Sequence, residues 1–182
     1  MKKKFKKAVA VILTAAMTVT VASTALANSG KDSEEITVYV YVNNNGEDYI
    51  RNMEFDDGSK LMDYDYTIQY VTDLTRDPNY VATYFDYCAW VEKENGDIAL
   101  CLDPIDSVRQ GYDAYEGWCA LSDPYGGMAS NPYWPTDEDK LQTFKWQYDC
   151  HQQYAFAKDY WNLEPHRVAN SYLAVATALC NP

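Results

Sequence analysis

Cys150 and His151 are the first pair in this chain that could do chemistry, as a thiolate and an imidazole. Adjacent residues on a helix point about 100° apart, so the ring is badly placed to take the thiol proton. A structural Cys150 and a hydrogen-bonded, packed His151 are therefore the plainer expectation. The second group is Glu164, His166 and Arg167, with Trp161 just before them. Glu164 and Arg167 could lock a turn as a bidentate ion pair, or Arg167 could receive an anion. Together His151, Trp161, Glu164, His166 and Arg167 are the candidate binding residues, because so many reactive and stacking side chains lie in so short a stretch.

Other chemistries find less support. The two histidines show no close metal-binding spacing, and no metal is expected. Asp56-Asp57, Asp63-x-Asp65 and Asp137-Glu138-Asp139 are acidic clusters, but none matches a twelve-residue calcium loop with its closing glutamate. There is no Gly-x-Ser-x-Gly elbow and no phosphate-cradling glycine loop. No catalytic residue can be named and no cofactor is expected.

The elements that would hold these residues begin after an export signal. Five lysines lie within residues 1–7, residues 8–22 are apolar, and Ala25-Leu26-Ala27 offers a cleavage site before Asn28. A secretory signal peptide over 1–27 is the expectation, with a soluble product, no membrane anchor and an extracellular destination. The chain has 15 Lys+Arg and 27 Asp+Glu; without the five leader lysines it has 10 against 27, a net charge of −17. Such a surface repels nucleic acid and anionic lipid. It suits a basic protein, or a carbohydrate or peptide held by aromatic faces. Tyrosine is abundant, with 17 in the chain, beside 5 Trp and 5 Phe. These rings build a core margin or stack on ligands.

A polar N-terminus is expected over 28–35, then a domain over 36–182. Ile36 to Val42 alternates as a strand, with Ile36, Val38, Val40 and Val42 on one face. A second alternating run covers residues 64–71. Asn95-Gly96 is a two-residue hairpin signal that sets Val91 opposite Leu100 and gathers Ala89, Val91, Ile98, Leu100 and Leu102 on one face. Asp103-Pro104 reads as the start of a helix through Cys119. Thr136 to Asp139 caps a longer helix, and Val168 to Leu179 forms the last. Strands first and helices last make the class α+β, an antiparallel sheet of hairpins followed by two or three helices.

Several motifs carry a resemblance. They are Leu100-Cys101-Leu102-Asp103-Pro104, Trp118, Gln147-Tyr148-Asp149-Cys150-His151, Trp161-Asn162-Leu163-Glu164-Pro165 with Arg167, and Cys180-Asn181-Pro182. From about Trp90 to Pro182 the chain resembles a bacterial family known as domain of unknown function 2599. The resemblance implies a secreted domain and a Cys150–Cys180 disulfide; it implies no established activity. Of the other cysteines, Cys88 and Cys101 share a hairpin face in the expected register and are the candidate second pair, leaving Cys119 reduced and buried.

Three functions fit these expectations. The first is a non-catalytic extracellular binding domain. The second is a secreted hydrolase or acyl or glycosyl transferase using His151 with a carboxylate. The third is an exported toxin-like effector.

Overall fold

The computed structural model describes residues 35–55, 58–71, 79–93, 96–125 and 127–182. The expected leader over 1–27 and, apart from Glu35, the polar segment over 28–35 lie outside the described residues, as do Asp56 and Asp57. The class is α+β. Strands β1 (Glu35–Asn43), β2 (Asp65–Tyr70), β3 (Phe85–Lys93), β4 (Ile98–Pro104) and β5 (Trp161–Leu163) form one sheet in the order β2-β1-β3-β4-β5.

The sheet is mixed, which corrects the all-antiparallel expectation. β1 and β2 run parallel, with Ile36 opposite Tyr66 and Val38 opposite Ile68. Parallel neighbours need a long crossover. Here it carries α1 (Glu47–Arg51) and a 3-10 turn, Leu61–Asp63. Ile50, Met53, Phe55 and Leu61 of the crossover pack on Ile36, Val38, Val40, Ala89 and Val91. One face of the sheet is thereby buried.

The other face is covered by helices. Trp90, Leu100, Leu102, Trp161 and Leu163 meet Phe144 and Tyr148 of α5 (Glu138–Tyr154), with Trp134 and Leu121 at the margin. The Trp90 and Phe144 rings stack with centroids 6.2 Å apart and planes 6° from parallel. The Asp137 carboxylate caps α5 by accepting from Lys140 N at 3.1 Å, in the place the sequence predicts.

The β3–β4 hairpin is shifted by one residue from the expected register. Trp90, not Val91, lies opposite Leu100, and Ala89 lies opposite Cys101. At the end of β3 Lys93 N donates to Asp97 O at 2.9 Å, and Gly96 takes a φ of 85°. The shift turns β4 over relative to β3: Ala89, Val91 and Cys101 face the crossover, while Cys88, Trp90, Leu100 and Leu102 face the helices. Cys88 and Cys101 thus sit on opposite faces and form no disulfide, which removes the candidate second pair. A bulge between Val40 and Val42 likewise moves Val42 from the crossover face to the helix face.

Asp103 and Pro104 end β4 instead of opening a helix. Two short helices follow, α3 (Asp106–Arg109) and α4 (Ala114–Ser122), after α2 (Asn79–Ala82) earlier in the chain. The break between α3 and α4 falls at Gly111, whose φ of 87° no helix accommodates. A Cβ at Gly111 would also stand 2.9 Å from the Gln152 side chain. The Trp161-Asn162-Leu163 segment, for which no strand was expected, is edge strand β5, because Trp161 and Leu163 are fully buried beside Leu100 and Leu102.

The last helix is shorter than expected. α6 (Tyr172–Thr177) starts where Ser171 accepts from Ala174 N at 3.2 Å. It ends in two left-handed residues, Leu179 and Cys180, with φ of 56° and 77°. This reversal brings Cys180 to Cys150, with which it forms a disulfide across a Cα–Cα distance of 5.4 Å. Val175 is buried with the pair, so α6 is stapled to α5 by a bond and a small apolar cluster. Cys119 is half-buried, not buried.

The cysteines should therefore react in a fixed order. Cys119 should be alkylated in the native protein. Cys88 and Cys101 should react only after unfolding, since burial pushes the Cys88 thiol well above its ordinary range. Cys150 and Cys180 should react only after reduction. The disulfide closes a loop with a separation of 30 residues, and its reduction should cost about 3 kcal/mol in a denaturant titration. Native modification of Cys88 or Cys101 would contradict this packing.

Candidate functional site

The surface beside β5 is organised by one arginine. Arg109 closes α3, and its guanidinium reaches back under the end of β4. Nη2 pairs with the Asp103 carboxylate at 2.5 Å and donates to Asp159 O at 2.7 Å. Nε donates to Pro104 O at 2.7 Å, and Nη1 to Phe156 O at 3.2 Å and to Lys158 O. The planar fork thus ties the segment between α5 and β5 to the sheet, which a lysine could not do with one point charge.

Asp103 is only 8% exposed. Its other oxygen accepts from the Tyr49 hydroxyl of α1 and from Asn45 Nδ2 at 3.4 Å. Burial pushes its carboxyl above the usual range, although Tyr49 and Arg109 pull in the other direction. The Tyr49 hydroxyl is held far above the ordinary tyrosine value, first by burial and then by Asp103. Tyr160 donates to Tyr49 O at 3.0 Å; burial pushes it up to about 12. The Tyr49 and Tyr160 rings lie 5.1 Å apart, and Tyr87 completes the group edge-on.

Around this cluster the surface is hollow. An open cleft of about 980 Å³ runs between the crossover and the 157–160 segment. Tyr49 and the mostly buried Phe55 and Tyr160 line it with aromatic carbon; Asn45, Asn52 and Asn162 give it amides; Asp48, Glu54 and Lys60 also line it. A second hollow, of about 770 Å³, shares Tyr49, Ala157 and Asp159 with it and lies over Asp103 and Arg109. A third, of about 200 Å³, shares Phe55 and Asn162. Asn162 is fixed below: its Oδ1 accepts from the Cys101 thiol at 2.8 Å and its Nδ2 donates to Glu54 O at 3.2 Å. Among the described residues no three His, Cys, Asp or Glu side chains gather as metal ligands would.

The five residues singled out by the sequence do not share one surface. His151 and Trp161 are fully buried, with ring centroids 6.1 Å apart. His151 Nδ1 lies 2.9 Å from Gln147 O. Glu164 and Arg167 are paired at 2.7 Å, and this bond raises the Arg167 pKa. His166 is exposed. Gln147 holds the same segment from inside, accepting from Glu164 N at 2.7 Å and donating to Glu164 O at 3.0 Å. Of the five, only Glu164 lines any of the three hollows, and it lines the smallest. Asp103, Arg109, Tyr49, Tyr160 and Asn162 were missed. Asp103-Pro104 was visible, but as a helix start, and nothing local links Arg109 to carbonyls some fifty residues later.

A family model described as a protein of unknown function, DUF2599, matches residues 85–182, just over half of the chain. No curated protein and no solved structure matches it. The matched part begins with β3 and includes Asp103, Arg109 and the 156–162 wall of the cleft. The facing wall, Asn45 to Lys60, lies outside it.

Asp103 should leave a signature in stability. A carboxyl whose folded pKa lies above its ordinary 3.8 holds its proton longer in the folded state. The folded state then gains stability as pH falls through that raised value, and loses the gain as pH rises through it. The stability difference between the wild type and Asp103→Asn should therefore grow in favour of the wild type from pH 7 towards pH 4. Urea titrations at each pH measure it. A difference that shrinks would mean that Arg109 and Tyr49 outweigh burial.

Proposed function

The chain belongs to this family of unknown function, and from that premise we infer that it is a non-catalytic, extracellular binding domain whose ligand is a carbohydrate seated in the cleft between the crossover and the 157–160 segment. The observation that carries the reading is the cleft's lining. The half-buried Tyr49 ring and the small open parts of the mostly buried Phe55 and Tyr160 stand with the exposed amides of Asn45 and Asn52 and the buried Asn162. Sugar rings present apolar C–H faces and hydroxyls that both donate and accept, and such a surface answers both. The walls are also fixed before any ligand arrives: Arg109 holds one and the Tyr49–Asp103 bond holds the other. Preorganisation of this kind lowers the entropic cost of binding.

The five lysines, the apolar run and the Ala25-Leu26-Ala27 site of residues 1–27, read as an export signal, support an extracellular setting, and the Cys150–Cys180 bond is compatible with it. A hydrolase or transferase built on His151 draws less support, since that ring is buried and lines none of the three hollows. Asp103, the carboxyl with the raised pKa, has Tyr49, Asn45 and Arg109 on its oxygens and serves to hold the walls.

Amide-resolved NMR titration against a panel of oligosaccharides tests the reading. Shifts should concentrate on Asn45 to Lys60 and on residues 157–162. Asn52→Ala, at an exposed side chain whose amide donates to Asp48 O of its own helix, should weaken binding about tenfold, ~1.4 kcal/mol. Binding of basic peptides at the cleft with no response to any sugar would overturn it.

A further inference from the structure

The small third hollow differs from the cleft it adjoins. Val91 and Ala99, on the crossover face, line it with Phe55, and Ile98 from the opposite face of β4 also borders it; it is mostly apolar, whereas the cleft is mostly polar. Phe55 and Asn162 belong to both, so a ligand in the cleft has a direct way into this notch. The Lys93 ammonium stands at its mouth, 4.8 Å from the Phe55 ring centroid and 5.8 Å from that of Tyr64. A cation within about 6 Å of two ring faces is held there by their quadrupoles.

The notch, about 200 Å³ and mostly apolar, suits a short acyl substituent better than the hydroxyls of a plain sugar. The methyl of an acetamido group would lie on Val91 and Ala99. Its carbonyl would meet Lys93, and its N–H would face Asn162 or Glu164. A plain hydroxyl there would be desolvated against apolar carbons without a full set of partners, at a cost to binding. On the opposite side, the hollow over Asp103 and Arg109 continues the cleft past Tyr49, Ala157 and Asp159. Three joined compartments, only one of them apolar, describe a groove for a chain and not a socket for a single ring.

We propose that the ligand is a chain of N-acylated amino sugars, with one acyl group seated in the notch between Phe55 and Ala99. This rests on the carbohydrate reading of the cleft and adds the kind of sugar and its length.

The test is isothermal titration of the full chain with N-acetylglucosamine oligomers of one to six units, and with the glucose hexamer of the same linkage. Affinity should rise about tenfold or more from monomer to tetramer, and the acylated hexamer should bind about tenfold more tightly than the glucose hexamer. Ala99→Leu should fill the notch and abolish that preference while leaving glucose-hexamer binding intact. Lys93→Gln should reduce the preference without filling the space. Equal affinity of the wild type for the two hexamers, or affinity flat beyond one unit, overturns this inference and leaves the carbohydrate reading standing. If neither hexamer binds, and other sugars do not shift the cleft's amide resonances, the carbohydrate reading fails and this one with it.

Discussion

A five-stranded sheet that has to bury both of its faces is the constraint from which the other features follow. On one side Trp90, Leu100, Leu102 and Trp161 demand a cover, and α5 supplies it with Phe144 and Tyr148. On the other side Val38, Val40, Ala89 and Val91 demand another, and the crossover from β1 to β2 supplies Ile50, Met53 and Leu61. At about 25 cal/mol per Å² of apolar surface, neither face could be left in water without losing more than a domain's net stability. The cleft lies where the crossover meets β5 and the 157–160 wall, with Glu54 bonded to Asn162 and Tyr49 to Tyr160 beneath it.

That wall has no regular secondary structure of its own. It is held by its carbonyls, three of which converge on the Arg109 guanidinium, while Asp103 neutralises the charge from beneath. The arrangement answers two needs at once. An arginine near Trp161 needs acceptors for its donors, and a loop without a ladder needs donors for its carbonyls. Tyr49 links the same carboxylate to the crossover, so both walls of the cleft meet at one buried oxygen pair. Movement of either wall is thereby coupled to the other.

The disulfide plays a separate part. Cys150 and Cys180 tie α6 to the outer side of α5, away from the cleft, and Thr143 holds the approach to α6 by accepting from Ala169 N at 2.9 Å. What it secures is the position of α5, whose Gln147 pins Glu164 and hence the end of β5. The family match runs through all of these parts, from β3 to the last residue, while one cleft wall is contributed by residues before it.

Several features could be read from the chain alone because they depend on neighbours in sequence: the alternation of β1, the capping aspartate of α5, the α+β class, the Glu164–Arg167 pair and, through the family resemblance, the Cys150–Cys180 bond. The hairpin register could not. Reading it relied on one apolar and one polar face, and here both faces are apolar, so a one-residue shift in either direction leaves buried residues on both sides. The parallel pairing of β2 with β1, and the strand nature of Trp161 to Leu163, were hidden because both are decided by distant partners, Ile36 to Val40 for the first and Leu100 to Leu102 for the second. The candidate site was least legible of all. Asp103 and Arg109 lie six residues apart, but Tyr49 and Asn162 are ordinary residues far from them, and the bonds that tie these four to the cleft walls span gaps of about fifty to a hundred residues.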